Sequence, residues 1–510
     1  MFAKILCGTT QGIEGIKIDV EVDLSNGMPF FEIVGLPGSA IKESRERIKS
    51  AFKNSGLNFP LGRVVVNLAP ASLRKEGSVY DLPIAIGILV ASGVITQKSI
   101  DNSFFIGELS LNGEVRGIKG VLPIIHSLYK SHGRNLDFFI PSDNIKEASI
   151  LKDLKIYEVN NLKDIVEMLE SNSKKLYSRE DIEPCTREDE EDFFYVKGQE
   201  IVKNAVIVAC SGRHNMLIVG PPGTGKTMMA SRIPTVLPSL TFDEKLEVTK
   251  IYSVANIGYN NELIAKVPFR SPHNTISDTA LIGGGKFPKP GEISLAHCGV
   301  LFLDEFTEFN KNALENMRQP LENKVVSLDR VNQSVKYPCN FMLVAAMNPC
   351  PCGYYGVPNK CTCNSNEIKK YLGKVSGPML DRIDIQVEAN NINFEDIANK
   401  SENNKCLSTK DMREIIERVT KIQRKRYKDE KINYNSELTE ELLEKYCYLG
   451  EEEKSILEMA FSHYGMSGRA YAKILKISRT LADIDGYENI NSKHISMAIS
   501  YRMLDRKYWL

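Results

Sequence analysis

A chain of 510 residues is too long for one hydrophobic core and predicts about two to four domains. Its 65 Lys and Arg balance 65 Asp and Glu, so no global positive field marks it as a passive DNA coat, and its 42% apolar content is that of an ordinary globular protein. Met1 to Cys7 lack the apolar stretch of a signal peptide, and no run reaches membrane-span length; the longest, Leu82 to Val90, is of helix-core size. Eleven cysteines without a secretion signal predict a reducing, cytoplasmic setting with no membrane partner, where a tight cysteine cluster points to metal before disulfides.

Along the chain, Ile16, Ile18, Val20 and Val22 alternate with charged neighbours and predict a half-buried strand. Asn26-Gly27 turns into a strand over Phe30–Val34, and 40–55 suits an amphipathic helix. A buried strand over Val64–Val66, a helix over 81–92, a strand over 104–109, a helix over 121–130 and a strand over Phe138–Ile140 complete an α/β or α+β domain spanning 1–170. The polar stretch 171–192 reads as an exposed linker. Residues 193–389 form a phosphate-loop α/β core, and the charged remainder, 390–510, predicts a small helical bundle.

The chemistry starts at Gly220, Pro221, Pro222, Gly223, Thr224, Gly225, Lys226 and Thr227, a phosphate-binding loop placed between the apolar run Met216–Val219 and a helix start. There the backbone N–H groups wrap the polyphosphate of ATP, Lys226 reaches the β- and γ-phosphates, and Thr227 holds Mg²⁺. Downstream, Val300–Leu303 reads as a buried strand delivering Asp304 to Mg²⁺ and Glu305 to the attacking water. A second buried strand, 341–346, leads to Asn348, whose amide is placed to orient that water. Just beyond it, Cys350, Cys352, Cys361 and Cys363 give two Cys-x-Cys pairs suited to a structural Zn²⁺; the alternative is four reduced thiols.

These motifs in this order resemble an AAA+ ATPase of the magnesium-chelatase/MCM helix-2-insert group, and within it the ComM/YifB family of Mg-chelatase-like proteins. The resemblance spans nearly the whole chain. It rests on Val196-Lys197-Gly198-Gln199-Glu200, Phe269-Arg270-Ser271-Pro272-His273, Leu281-Ile282-Gly283-Gly284-Gly285, Arg318-Gln319-Pro320-Leu321-Glu322, Asn348 to Gly353, and Ser376 to Asp384. It implies that Val196, Gly198 and Gln199 border the adenine and that Asn348 is the sensor-1 residue. Arg382 is then the arginine finger that reaches a neighbouring subunit's γ-phosphate, and Arg469 the sensor-2 arginine on the lid. A finger acting in trans makes hydrolysis depend on a homo-oligomeric ring, expected to be a hexamer.

The same resemblance places a helix-2 insert in the long stretch 251–296, facing a central channel. With a second hairpin read over 324–337, it makes Lys286, Lys289, Arg330 and Lys336 the candidates for DNA phosphate contacts; the alternative is solvated loop charge. His273 reads as structural. The N-terminal domain is similar to a Lon protease domain without its chemistry: Asp81 stands at the serine position and Leu122 at the lysine position, so the Ser–Lys dyad is missing. Ser78 and Lys119 are the residues a shifted dyad would use. The implied function is an ATP-driven DNA motor for branch migration in recombination or natural transformation. A chelatase-type remodeller acting on a tetrapyrrole system is the alternative, and an ATP-dependent protease the third reading.

Overall fold

A computed structural model describes all residues except 133–134, 172–174, 179–190, 258, 286–287, 331–332, 391–406, 465 and 510. The chain divides into two compact units, Met1–Pro184 with Lys245–Ile264, and Cys185–Glu244 with Ala265–Leu510.

In the first unit, β1 (Phe2–Gln11) and β2 (Glu14–Ser25) form a long antiparallel hairpin, closed by Gly12 at φ +63°. Beside them lie β3 (Phe30–Val34), β4 (Arg63–Ala69), β5 (Ser103–Phe105), and beyond the small β6–β7 pair (Glu108–Leu109 with Val115–Arg116), β8 (Asp137–Pro141) and β9 (Lys155–Val159). The seven-stranded sheet runs β3-β4-β2-β1-β5-β8-β9. Helix Asp81–Ala91 is apolar almost all round and buries every residue, as such a helix must. The strand expected over 104–109 is broken in two because Gly107 sits at φ +156° and diverts the backbone between β5 and β6.

Lys245–Ile264, read from sequence as part of the ATPase core, groups with this first unit. Leu246 belongs to its hydrophobic core, Leu263 packs on that core, and Ser253 Oγ donates to the buried Glu147 carboxylate. Composition gave no sign of this, since the segment's apolar spacing fits a helix in either setting.

At the two positions where a Lon-type dyad is expected to be missing, Leu122 is fully buried and Asp81 is a buried carboxylate held by Arg47 Nε at 2.7 Å and Nη2 at 3.1 Å. Burial pushes the Asp81 carboxyl up to about 6, with Arg47 opposing the shift. Ser78 Oγ donates to Glu108, and Lys119 is exposed. Arg47→Ala should destabilise this unit by ~3–5 kcal/mol at neutral pH, because it strands a buried carboxylate. Without the guanidinium the folded-state carboxyl rises still further above its unfolded value. The deficit is therefore full only above the variant's own raised carboxyl value, and it shrinks as acid neutralises the group, down to about pH 6, where the wild-type carboxyl takes up its proton too. Urea unfolding of both proteins at pH 8 and pH 5 measures it; a deficit that grew on acidification would refute the assignment.

The second unit carries a wholly parallel sheet. Its strands are β10 (Met216–Val219), β11 (Phe269–Arg270), β14 (Val300–Leu303), β17 (Met342–Met347) and β18 (Ile385–Glu388), ordered β11-β14-β17-β10-β18. Apolar residues on both faces of β10, β14 and β17 are buried, the pattern a helix-covered parallel sheet requires. Two hairpins interrupt the order: β12 (Gly283–Gly284) with β13 (Lys289–Pro290), and β15 (Val325–Arg330) with β16 (Gln333–Pro338). Helices from Thr409–Arg426 to Leu504–Trp509 form the C-terminal region. They are locked by the buried Asp483, which accepts from Arg426, Arg479 and Asn435. No helix among the described residues is long and apolar enough to cross a membrane.

Candidate nucleotide site and cysteine cluster

Three strand ends build the site. The loop after β10, the acids after β14 and the amide after β17 all lie at the C-terminal edge of adjacent parallel strands, where open α/β sheets bind ligands. Gly223 and Gly225 adopt φ +81°, which curls the loop before helix Lys226–Val236. Lys226 Nζ lies 2.7 and 2.9 Å from the Gly220 and Pro221 carbonyls and 3.2 Å from Asn348 Oδ1. Burial lowers the affinity of this amine for its proton, and Asp304 opposes the shift.

Thr227 Oγ1 donates to Asp304 Oδ2 at 2.6 Å. Two hard oxygens thus converge beside the loop, a donor set that fits Mg²⁺. Glu305 is held at φ +50°, and its Oε2 accepts from Asn274 Nδ2 at 2.7 Å. Asn274 was missed from sequence, although it directly follows the Phe269–His273 motif. A polar residue just past the short β11, the neighbour of β14, was the available signal. His273 bonds Thr275 Oγ1 at 2.9 Å within the same turn.

Of the residues expected to border the adenine, Val196 is buried, Gly198 has φ +67°, and Gln199 Nε2 donates to Asn390 O at 2.5 Å and Thr224 O at 3.5 Å. Gln199 thereby ties the segment before helix Glu200–Gly212 to the phosphate loop.

The two arginines lie elsewhere. Asn215, immediately before β10, donates through Nδ2 to the Arg382 carbonyl at 2.8 Å and accepts the Asp384 N–H at 2.9 Å. Arg382 and Arg469 line one cavity of about 710 Å³ with Asn215, Asp381 and Asp384. That cavity marks the N-terminal edge of the sheet. The phosphate loop follows the four residues of β10, so the two edges are about 13 Å apart along that strand. Arg382 is paired with Glu322 and donates to Pro378 O at 2.9 Å, while the exposed Arg469 lies 3.7 Å from Asp381. Asp384 anchors this edge. Burial opposes its charge, but Lys473 and His214 outweigh burial and hold the carboxyl well below its usual range.

The four cysteines converge. Cys350 Sγ is 3.3 Å from Cys352 Sγ and 3.9 Å from Cys361 Sγ, Cys352 and Cys361 are 3.7 Å apart, and Cys363 Sγ accepts the Cys352 N–H at 3.4 Å. All four sulfurs lie within 4.8 Å of one another. Zn–S bonds of ~2.3 Å in a tetrahedron put sulfurs ~3.8 Å apart, so the set fits zinc. Backbone N–H groups of Tyr354 and Thr362 pull the Cys352 thiol down to about 6, whereas burial pushes Cys350 up to about 12.

Of the DNA-contact candidates, Lys289 on β13 and Lys336 on β16 are exposed, and Tyr337 Oη joins the two hairpins through Pro288 O at 2.9 Å. Arg330 ends β15, its side chain lying outside the described residues, as does Lys286 altogether.

A buried parallel sheet carrying a phosphate loop, an Asp-Glu strand end and a strand-end amide, with a helical C-terminal region, defines a mixed α/β AAA+ protein of the Mg-chelatase-like kind. The family "Magnesium chelatase, subunit ChlI" matches residues 192–397, "Subunit ChlI of Mg-chelatase" matches 20–144, and its "C-terminal" counterpart matches 407–502. The chain is 39% identical to "Competence protein ComM" of Haemophilus influenzae, over 99% of this chain and 98% of that one. It is 38% identical to YifB of Escherichia coli, over 97% and 96%. Against "Magnesium-chelatase subunit ChlI" of Pyropia yezoensis the identity is 24%, over 31% of this chain and 51% of the relative. The chain belongs to the ComM/YifB family of Mg-chelatase-like proteins. Membership of that family points to ATPase activity, with ATP and Mg²⁺ as cofactors, and to oligomerisation.

Proposed function

We propose that the protein is a ring-forming, hexameric, cytoplasmic ATPase that translocates on branched or single-stranded DNA during recombination or uptake of DNA. The observation that carries this reading is the split of the site across one sheet. Lys226, Thr227, Asp304, Glu305 and Asn348 sit at one edge, and Arg382 and Arg469 at the other. Arginines on the opposite edge serve a γ-phosphate only when a second copy brings its loop to them, which is how a ring is built.

Phosphoryl transfer then divides among named residues. Loop N–H groups and Lys226 hold the phosphates, Glu305 takes the proton of the water, and Asn348 orients that water. Thr227 and Asp304 would hold Mg²⁺, which would supply charge neutralisation to the bound triphosphate. The neighbour's Arg382 and Arg469 supply the remaining positive charge.

The competence role in the name of the Haemophilus relative favours DNA as the substrate. So do Lys289 and Lys336, exposed on two joined hairpins. The first unit is read as a Lon-like domain without peptidase chemistry, given the buried Asp81–Arg47 pair and Leu122 at the dyad positions. The four cysteines are read as a structural zinc site. Forked DNA at low salt should stimulate ATP hydrolysis about tenfold, with the stimulation fading as salt rises. Hydrolysis indifferent to every DNA form, together with no DNA binding, would leave the chelatase-type remodeller as the better reading.

A further inference from the structure

The cysteine cluster is built into the walls of the hydrolysis pocket. Cys350 follows Asn348 by two residues, so the first thiol pair extends directly from the sensor strand β17. Gly353 closes the cysteine turn by donating to Cys350 O at 2.9 Å, at φ +87°. A Cβ on Gly353 would stand 2.8 Å from Pro222 Cδ of the phosphate loop and 3.9 Å from Asn348 Cγ. The turn therefore presses on the loop with no room for a side chain.

From the second thiol pair the chain goes directly into helix Ser365–Leu372, fixed by an Asn364–Glu367 capping box. That helix and the residues after it face Glu305. Lys370, Tyr371 and Lys374 line a cavity of about 440 Å³ with Glu305, Glu308, Asn348 and Pro351. Lys374 Nζ reaches across to Glu308 at 2.9 and 3.1 Å, and stands over the Tyr371 ring at 5.4 Å from its centroid.

We propose that the metal-bound Cys350–Cys363 turn is a brace for hydrolysis: it fixes Asn348 on one side of the attacking water and the Tyr371–Lys374 wall on the other. Metal occupancy then sets turnover and leaves ATP affinity nearly untouched. This rests on the ATPase reading and on zinc binding by the four thiols. The reason lies in connectivity. Zinc cross-links 350–352 to 361–363, and without it the intervening loop is free to open, which loosens both pocket walls. The groups that hold the phosphates, from Gly220 to Lys226, are carried by β10 and its helix, and the turn meets them only where Gly353 faces Pro222 and where Asn348 meets Lys226.

The test uses the full chain. Zinc content is measured first, and stoichiometric zinc is expected. Cys361→Ser/Cys363→Ser protein and chelator-stripped wild type should then hydrolyse ATP about tenfold or more slowly at saturation, the cost of a small displacement of positioning groups. Their affinity for a fluorescent ATP analogue should change less than about twofold. Returning zinc to the stripped wild type should restore the rate. Lys374→Met, which leaves the thiols in place, should keep its zinc and its nucleotide affinity while losing turnover. Undiminished turnover in zinc-free protein, or zinc-loaded Lys374→Met with normal turnover, overturns the brace. Wild type that hydrolyses ATP but contains no zinc overturns the metal, and wild type that holds zinc but never hydrolyses ATP overturns the ATPase reading instead.

Discussion

Glu305→Gln protein should bind ATP with unchanged affinity and hydrolyse it about 10²–10⁴-fold more slowly, the span expected when a positioned proton acceptor is removed. The geometry makes the substitution clean. Glu305 reaches the pocket from a left-handed backbone position just after β14, and its Oε2 takes the Asn274 amide proton at 2.7 Å. A glutamine oxygen can accept that same bond, so the side chain keeps its place and loses only its charge. Binding depends on other groups: Lys226, the loop N–H donors, and the Thr227–Asp304 pair joined at 2.6 Å. Equilibrium binding of a fluorescent ATP analogue, set beside steady-state phosphate release, separates the two effects. Retained turnover in this variant would remove Glu305 from the role of base. Loss of binding would show that it holds the nucleotide.

Much of that arrangement was legible in the letters because buried parallel strands have a strong signature. Met216–Val219, Val300–Leu303 and Met342–Met347 are unbroken apolar runs, and each leads into residues of the candidate site. What was not legible depends on contacts between segments far apart in the chain. Asn274 became visible only when β11 paired with β14, which set its amide beside Glu305. Lys245–Ile264 has the periodicity of any amphipathic helix, and only tertiary packing of Leu246 shows which core it joins. The hairpin β1–β2 was half seen, because β1 mixes small and polar residues and gains its strand character from ten cross-strand partners in β2. Gly107 looked like one more residue of a strand, and its φ of +156° ended that strand.

Arg382→Ala protein should hydrolyse ATP about 10³–10⁵-fold more slowly, the range reported by removal of an arginine finger, while each subunit still binds nucleotide. Among the described residues, the Arg382 side chain makes its hydrogen bonds and ion pair to Pro378 and Glu322 and not to its own phosphate loop. Its backbone is fixed to Asn215 at the start of β10, and its guanidinium bonds Glu322 and Pro378 O. Lys226→Ala protein has the complementary defect, an intact finger edge with a loop that cannot hold phosphate. In a mixed ring, the loop of an Arg382→Ala subunit can face the Arg382 of a Lys226→Ala neighbour. Such a junction contains every group the reaction uses, so mixing two inactive proteins should restore turnover. The restored rate should follow the number of productive junctions: greatest at equal mixing and lower when either protein is in excess. A finger acting within its own subunit gives no such maximum, because no chain in the mixture carries both residues. The same experiment with Arg469→Ala in place of Arg382→Ala asks whether the lid arginine serves the neighbour's phosphate too. Its place in the same cavity as Arg382 predicts rescue there as well.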